Sequence, residues 1–559
     1  MLSYTINNTI IPPSIFEPKI TLHSNSQTII YNDLIEMKKS IKNLEKHKIY
    51  ENKYGKNAKY WGLGIENEVY LEMVDNPTKF TKADFLIKHK YERYSVDYFA
   101  NYNPVDLRMA MVQTAEILDN SGQGIEMPVL LKSHSFSKTD SENQPKTQYT
   151  KLCEPNPLFS GKTLLDTLAE IDPEYFGDDM NGQWIFDGDT VEFPTRNFYN
   201  ATLGQVLTEL ADAKRNFEER LNNALDKIPN SLISKMRGEN GRIQIMTKNH
   251  PFATYATNLK NVAMFNNGTL HYNITLPTDL DENSQILDRP RFIQQHKEAI
   301  KVIQWIEPFM LAAYGSPDPF SQYCGDNPMG QRFGAASQRC AISRYIGVGT
   351  YDTDTMETGK ILTKPLANLP FVQDGWFGKY YQNNAYNLLS ELGLDINFNK
   401  HYNHGIEIRF LDHLTNEEDI AHSFEFLVYL MDYVLDRPDI IVGNPNKSAI
   451  WNGLMLRVMK EGTKCELSSD ELIFFQGFFG FSTPFSKTNI LDVYNLIFVR
   501  LIARYTEIGD LDAKTYNSIG PFSSLVLPNN ISSGNQCLYS RFRTIRGLNC
   551  KTYQPCNIL

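Results

Sequence analysis

The sequence has no long apolar run and little cysteine for its length. No stretch of about 18 consecutive apolar residues occurs, so no membrane-spanning helix is predicted. The seven cysteines are scattered, without a CxxC pair or a histidine partner at zinc spacing, which favours reduced structural thiols. The initial segment MLSYTINNTI has neither a basic nor an apolar signal region. Together these absences predict a cytoplasmic protein.

An excess of positive charge is also missing, as are two common catalytic motifs. The formal net charge is -10, which provides no basic surface for nucleic acid or for an anionic membrane. Neither the phosphate-binding pattern GxxxxGK[ST] nor the nucleophile pattern GxSxG occurs. Hydrophobic residues at 42% and charged residues at 21% are ordinary for a globular protein. The sequence therefore predicts a folded protein that binds neither nucleic acid nor membrane.

A chain of 559 residues exceeds what one hydrophobic core usually supports. Composition and periodicity predict an N-terminal arm and helix over 1–59 and a main domain over 60–445, with an insertion at about 73–180. The remaining part, 446–559, is predicted to be a helical region followed by a tail. The sequence gives no indication of the oligomeric state.

Strand and helix patterns alternate along the main domain. Period-two alternation predicts strands at 61–72, 184–195, 271–276 and 405–412, and 3.6-residue periodicity predicts helices at 207–224, 291–313, 419–437 and 485–507. This order favours an α+β fold with an antiparallel sheet that packs one face on helices. The first strand is expected to be half-buried, with its polar side towards solvent.

Two carboxylates in the motif GIENE are the first candidate site residues. Because side chains alternate along a strand, Glu66 and Glu68 lie on the same face, about 7 Å apart. Oxygen donors at this spacing suit Mg²⁺, which keeps open positions for water and phosphate oxygens. For an isolated pair, however, a solvated strand face is the more common explanation.

The recurrence of chemically active residues on the other strands favours a functional site. Glu192 lies between Val191 and Phe193, which places its carboxylate on the polar side. The remaining polar positions of these strands are His271 and Asn273 in LHYNITLP, and Glu407 and Arg409 in GIEIRFLD. Glutamate, histidine, asparagine and arginine together are typical of a metal-nucleotide site, although a polar sheet face in a binding protein is the remaining alternative.

Three of these positions have alternatives of their own. Glu126, followed by Met127 and a proline, resembles Glu192 in its local sequence and competes with it as the third carboxylate. His271 alone would more often be a hydrogen-bonded structural histidine, as is assumed for His296. Arg409 alone could form a surface ion pair with Glu407.

The order of the motifs GIENE, VEFPT, LHYNITLP, SRYIGVGTY and GIEIRFLD resembles the glutamate-cysteine ligase branch of the glutamine synthetase superfamily. The resemblance covers most of residues 60–415, and its most specific parts are the His-x-Asn strand and the Glu-x-Arg strand. It implies a strongly curved antiparallel sheet that carries the active site and packs against helices, as in glutamine synthetase and guanido kinases. The 123 residues between Glu68 and Glu192 are a longer interval than the family generally shows, so Glu192 is the weakest of the implied assignments.

The resemblance also implies roles for individual residues. Its metal ligands correspond to Glu66, Glu68, Glu192 and Glu407, with His271 contacting metal-bound nucleotide beside Asn273. Arg344 and Arg409 correspond to the arginines that approach the transferring phosphate, and Arg339 competes with Arg344 for that role. The implied cofactors are ATP and Mg²⁺, with Mn²⁺ as an alternative ion.

The implied reaction joins a carboxylate to an amine, both expected to be small molecules such as amino acids, through an acyl phosphate made from ATP. The bond formed would be an amide, and a γ-glutamyl amide if the resemblance extends to the substrates. Two rival hypotheses remain: a guanido-kinase-like phosphotransferase, and a catalytically silent binding or structural protein that retains the sheet.

Overall fold

The structure is a computed structural model of the full chain, and it divides into two compact units, Met1–Tyr54 and Gly55–Leu559. In the first unit it describes a pair of short antiparallel strands. The predicted boundaries at 59/60 and 445/446 stay predictions. The residues that the structure describes are 5–6, 9–10, 60–69, 71–73, 78–80, 125–127, 130–131, 149–151, 154–155, 162–177, 183–187, 190–196, 203–229, 241–245, 270–281, 286–315, 336–337, 350–359, 395–398, 405–412, 414, 417–435, 437, 442–481 and 488–507.

Most of the described strands are short, and the longest are those on which the candidate residues lie. In chain order the strands are β1 (Thr5–Ile6), β2 (Thr9–Ile10), β3 (Tyr60–Val69), β4 (Leu71–Met73), β5 (Thr78–Phe80), β6 (Ile125–Met127), β7 (Leu130–Leu131), β8 (Tyr149–Lys151), β9 (Glu154–Pro155), β10 (Ile185–Asp187), β11 (Thr190–Pro194), β12 (Ile243–Ile245), β13 (Leu270–Thr278), β14 (Thr350–Asp352), β15 (Glu357–Gly359), β16 (Ile396–Phe398) and β17 (Ile406–Leu411).

The helices include long ones at the four positions that periodicity predicted. In chain order they are α1 (Leu164–Ile171), α2 (Pro173–Phe176), α3 (Leu203–Asp226), α4 (Arg289–Tyr314), α5 (Glu417–Leu435), α6 (Ala449–Glu461), α7 (Ser469–Phe479) and α8 (Ile490–Glu507), with 3₁₀ turns at Pro445–Lys447 and Gly462–Lys464. No described helix is both long enough and apolar enough to cross a bilayer.

Six strands form the main sheet, in the order β10-β11-β3-β13-β17-β16. Each neighbouring pair in this sheet is antiparallel, and β10 and β16 are its two edges. The expected α+β class with an antiparallel sheet is therefore confirmed. Because β3, β11, β13 and β17 are far apart in the chain, long-range pairing brings their polar residues together.

The apolar side of the sheet packs on helices α3 and α5. Phe193 of β11 meets Phe217 of α3 edge to face, with ring centroids 5.4 Å apart. Tyr272 of β13 stacks on Phe424 of α5 at 4.3 Å, and its hydroxyl donates to the Ile420 carbonyl at 2.9 Å. Aromatic pairs of this kind stabilise a core beyond the area that they bury. Helix α4 contacts α5, α6 and α8, and is buried almost all round from Val302 to Tyr314.

The prediction of a half-buried first strand is wrong. In β3 the residues from Trp61 to Val69 are buried except for Glu66, which is partly exposed, and all nine residues of β13 are buried. The polar residues of this face bond to one another across strands, as His271 does with Glu66, and such pairing makes the burial of charged groups tolerable. Alternation of polar and apolar residues along a strand shows which side is polar, but it does not show whether that side is exposed to solvent.

The segment 184–195, expected to be one strand, is two. Strands β10 and β11 pair antiparallel, with Asp187 opposite Thr190, so only Gly188 and Asp189 connect them. A Gly-Asp pair between two strand patterns is a two-residue hairpin signal, which explains the reversal. Beyond Pro194, Thr195 continues the pairing to β3, because its Oγ1 accepts from the Ile65 amide at 3.0 Å.

A buried histidine and a glycine fix the end of β13 against β17. His296 Nε2 accepts from the Leu276 amide at 3.0 Å, and Nδ1 donates to the Phe292 carbonyl at 2.8 Å. Gly405 lies so close to β13 that an added Cβ would stand 2.2 Å from the Ile274 carbonyl oxygen. The structural role assumed for His296 thus follows from its two hydrogen bonds.

Asn67 is a buried amide on the apolar side of β3, and its replacement by leucine is expected to stabilise the fold. Its Nδ2 and Oδ1 have no hydrogen-bond partner among the residues that the structure describes, and its cross-strand neighbours are Phe193 and Leu270. Because an unpaired buried polar group is costly and leucine has a similar branched shape, Asn67→Leu should raise the free energy of unfolding by about 1–3 kcal/mol. Chemical denaturation measures this, with the exposed Asn223→Leu as control; a destabilised Asn67→Leu would instead indicate that a buried water bonds the amide.

Candidate functional site

Pairing between β3, β13 and β17 places four of the predicted site residues side by side. Glu66 lies directly opposite His271, and Asn273 lies directly opposite Glu407. All four side chains project from the side of the sheet opposite to the helices, because the residues alternating with them, such as Tyr272, pack on α5. The register thus turns separate sequence motifs into one cluster.

Glu66, His271 and Glu407 form the centre of this cluster. Each offers one ligand atom, and the three atoms lie within 4.8 Å of one another. His271 Nδ1 is 3.2 Å from Glu66 Oε2 and 3.6 Å from Glu407 Oε1. A single ring nitrogen therefore faces both carboxylates, and the three residues could hold one cation.

The donor set fits a divalent ion of the Mg²⁺ and Mn²⁺ type. Adjacent ligands of an octahedral ion with bonds of about 2.1 Å are roughly 3 Å apart, close to the His271 distances. Carboxylates suit Mg²⁺ and Mn²⁺ alike, whereas an imidazole nitrogen favours the transition metal. To bind a metal, Nδ1 of His271 must first give up any proton that it donates to Glu66.

Glu407 is buried and accepts a hydrogen bond on each carboxylate oxygen. Its side chain is 2% exposed, and its two oxygens accept from Arg409 at 2.8 Å and from Asn397 at 2.7 Å. Burial lowers the pKa of the Arg409 guanidinium, but Glu407, Glu68 and Glu66 raise that pKa by more. Arg409 thus remains cationic at the centre of an acidic face.

Glu66 is held more loosely than Glu407. Its side chain is 22% exposed, and the Asn273 amide donates to its Oε1 at 3.2 Å. Asn273 Oδ1 is buried, and within the described part of the chain it has no hydrogen-bond partner; the same holds for Nε of Arg409. Beside the three ligands, one buried acceptor and one buried donor are therefore left without a partner among the described residues.

The other predicted carboxylates occupy different positions. Glu68 is buried on the same face and lies directly opposite Glu192 on β11, two residue pairs beyond Glu66, so the two form an acidic continuation of the site. Glu126 belongs to a separate two-stranded pair, in which β6 places it opposite Lys79. The register therefore brings Glu192 to the site sheet and leaves Glu126 outside that sheet.

Two predicted arginines cannot be placed. Arg339 and Arg344 lie outside the described residues, between 336–337 and 350–359. The described residues on both sides are held by α4: Gly315 at its end lies against the Ala336 carbonyl, and Gln304 donates to the Tyr351 carbonyl at 2.7 Å. The roles of the two arginines stay predictions.

Sequence reasoning missed Asn397, which bonds directly to Glu407. Its strand, β16, is three residues long, and Asn397 pairs with Glu407 across the strands. The alternation of Ile396, Asn397 and Phe398 carries the same signal as the recognised strands but is too short to stand out. Only the pairing of β16 with β17 shows its relevance.

Comparisons with known proteins add one relative and no activity. No family model matches the sequence. The chain is similar to a protein of Acanthamoeba polyphaga mimivirus that is described as uncharacterized, with 36% identity over 396 residues, or 70% of this chain. The match covers 66% of that relative, so the chain spans slightly less than two thirds of its length.

Proposed function

We propose that this chain is an ATP-dependent carboxylate-amine ligase that forms an amide bond through an acyl phosphate, and that its sheet belongs to the glutamine synthetase type. The observation that carries this proposal is the position of Arg409 beside Glu66, His271 and Glu407. A cation-binding group and a buried guanidinium with an unpartnered Nε suit an anion that is partly neutralised by metal. A nucleotide triphosphate is such an anion.

The reaction needs activation because a carboxylate does not condense with an amine in water. An oxygen of the substrate carboxylate attacks the γ-phosphorus of ATP, the bond to the β-phosphate oxygen breaks, and ADP leaves. The amine then attacks the acyl carbon, inorganic phosphate departs, and the nitrogen loses a proton. Positioning of the reactants and fixed charges accelerate this reaction, so no nucleophilic side chain is required.

The described residues divide this work. Glu66, His271 and Glu407 would hold a divalent ion, which supplies positive charge against the phosphate oxygens. Arg409, with its raised pKa, would keep its charge throughout and orient the phosphoryl group through its guanidinium N–H groups. Asn273 would orient Glu66, because its amide donates to Glu66 Oε1 at 3.2 Å.

Glu68 and Glu192 are proposed to hold a second ion. They face each other across β3 and β11, next to Glu66, and Glu68 also contributes to the raised pKa of Arg409. Two ions on either side of a transferring phosphoryl group can neutralise both the attacking and the leaving oxygens.

Incubation of the full-length protein with ATP, Mn²⁺ or Mg²⁺, and pooled amino acids should release ADP and inorganic phosphate in equal amounts. Release should require both a carboxylate and an amine, and mass spectrometry should find the corresponding amide. ADP without free phosphate, together with a phosphorylated product, would favour the phosphotransferase. No ADP from any pool, with nucleotide affinity unchanged in a Glu66→Ala, Glu407→Ala double variant, would favour a silent binding protein.

A further inference from the structure

Asn397 lies on the edge strand β16, beside the buried carboxylate of Glu407. Its Nδ2 donates to Glu407 Oε2 at 2.7 Å. This distance is shorter than the 3.2 Å that separates Glu66 from His271 and from Asn273. Arg409 donates to the other oxygen of Glu407, Oε1, at 2.8 Å. Each oxygen of this carboxylate thus accepts from its own donor, and the two donors lie on different strands, β16 and β17.

The neighbours of Asn397 fix its direction. Ile396 is buried and pairs with Ile408. The ring of Phe398 packs on α4, with its centroid 5.7 Å from that of Phe292 and 5.5 Å from that of His296. The Arg409 amide extends the pairing by donating to the Asp395 carbonyl at 2.7 Å. With the apolar residues on either side held towards α4, alternation directs Asn397 to the polar face.

We infer that Asn397 is a positioning residue of the cation site, and this inference rests on the proposed function. By holding Oε2, it fixes the plane of the Glu407 carboxylate so that Oε1 faces His271 Nδ1, 3.6 Å away. Residues that orient metal ligands commonly affect metal affinity nearly as strongly as some ligands do.

Without Asn397, the hydrogen bond to Oε2 would be lost and the one from Arg409 to Oε1 would remain. A guanidinium next to a free carboxylate tends to form two parallel hydrogen bonds, one to each oxygen. That arrangement would turn Oε1 away from His271 and would use a second nitrogen of Arg409, which the proposed function assigns to the phosphates. The neutral amide of Asn397 therefore keeps Glu407 available to the ion and Arg409 available to the anion, without adding charge.

Titration of the full-length protein with Mn²⁺, followed by the electron paramagnetic resonance signal of the free ion, tests the inference without any substrate. Asn397→Leu, which keeps the shape but lacks the donor, should weaken binding by about 10- to 100-fold. Asn397→Gln, which keeps the amide, should recover part of the affinity. The exposed Asn223→Leu is the matched control and should bind as the wild type does.

The outcomes separate the two proposals. If the wild type does not bind Mn²⁺, the cation site is wrong, and the proposed function and this inference fail together. If the wild type binds and folded Asn397→Leu binds equally well, only the inference is overturned. If Asn397→Leu does not fold, the Mn²⁺ affinity of Asn397→Gln decides. An affinity lower than that of the wild type but higher than that of Glu407→Gln supports positioning by the amide. An affinity equal to that of Glu407→Gln contradicts it.

Discussion

Replacement of Glu407 by glutamine is expected to weaken Mn²⁺ binding by at least about a hundredfold, more than the loss of an orienting residue usually costs. The substitution removes one of three ligands and half of the negative charge that Glu66 and Glu407 provide, while the side chain keeps its shape. Under the proposed function, ATP turnover should fall at least as far, because Arg409 then loses the carboxylate that it bonds at 2.8 Å. Calorimetric titration measures the Mn²⁺ affinity, and phosphate release measures ATP turnover.

A loss of folding has to be separated from this effect. Removal of one partner of a buried ion pair commonly costs about 3–5 kcal/mol. Glu66 and Glu68 still act on Arg409, so the cost in Glu407→Gln should lie at or below the lower end of that range. Denaturation without metal measures it, and the exposed Glu219→Gln controls for loss of one carboxylate. Glu407→Gln that is folded and binds Mn²⁺ like the wild type would contradict the cation site.

Acid should destabilise the fold through His296, by about 3 kcal/mol between neutral pH and pH 4. Burial lowers the pKa of this histidine from 6.5 to about 4, and the Phe292 carbonyl offsets only part of the shift. Between these values the unfolded chain binds a proton that the folded chain does not. The stability is therefore fully present above pH 6.5 and is lost as the pH falls towards 4.

Chemical denaturation at a series of pH values tests this expectation. His296→Gln can still accept from the Leu276 amide but does not titrate, so its stability should change less with pH than that of the wild type, by about 3 kcal/mol over the interval. Lys297→Gln, one residue along α4, keeps the histidine and should follow the wild-type curve in shape. Parallel curves for the wild type and His296→Gln would mean that His296 is not the group responsible.

The hairpin at β10 and β11 illustrates what local reasoning missed. Facing residues of this two-residue hairpin are three positions apart, so the apolar positions shift from 184 and 186 to 191 and 193. This shift and the loop pair Gly188-Asp189 are the local signs of the reversal. The error did not displace Glu192, because its side is set by Val191 and Phe193 immediately beside it. The choice between Glu192 and Glu126, in contrast, depended on which segment pairs with β3, and that is a long-range property.

The sequence by itself determined which side of its strand each of Glu66, His271, Asn273, Glu407 and Arg409 would occupy, because period-two alternation is a local property of the backbone. It also predicted the long helices, since an apolar face at 3.6-residue spacing needs no distant partner to be recognised. Only the tertiary structure decided that Glu66 meets a histidine 205 residues away, that Asn397 joins Glu407, and that both sides of the strands are buried. Those three results depend on strand order and register, which packing against α3, α4 and α5 fixes.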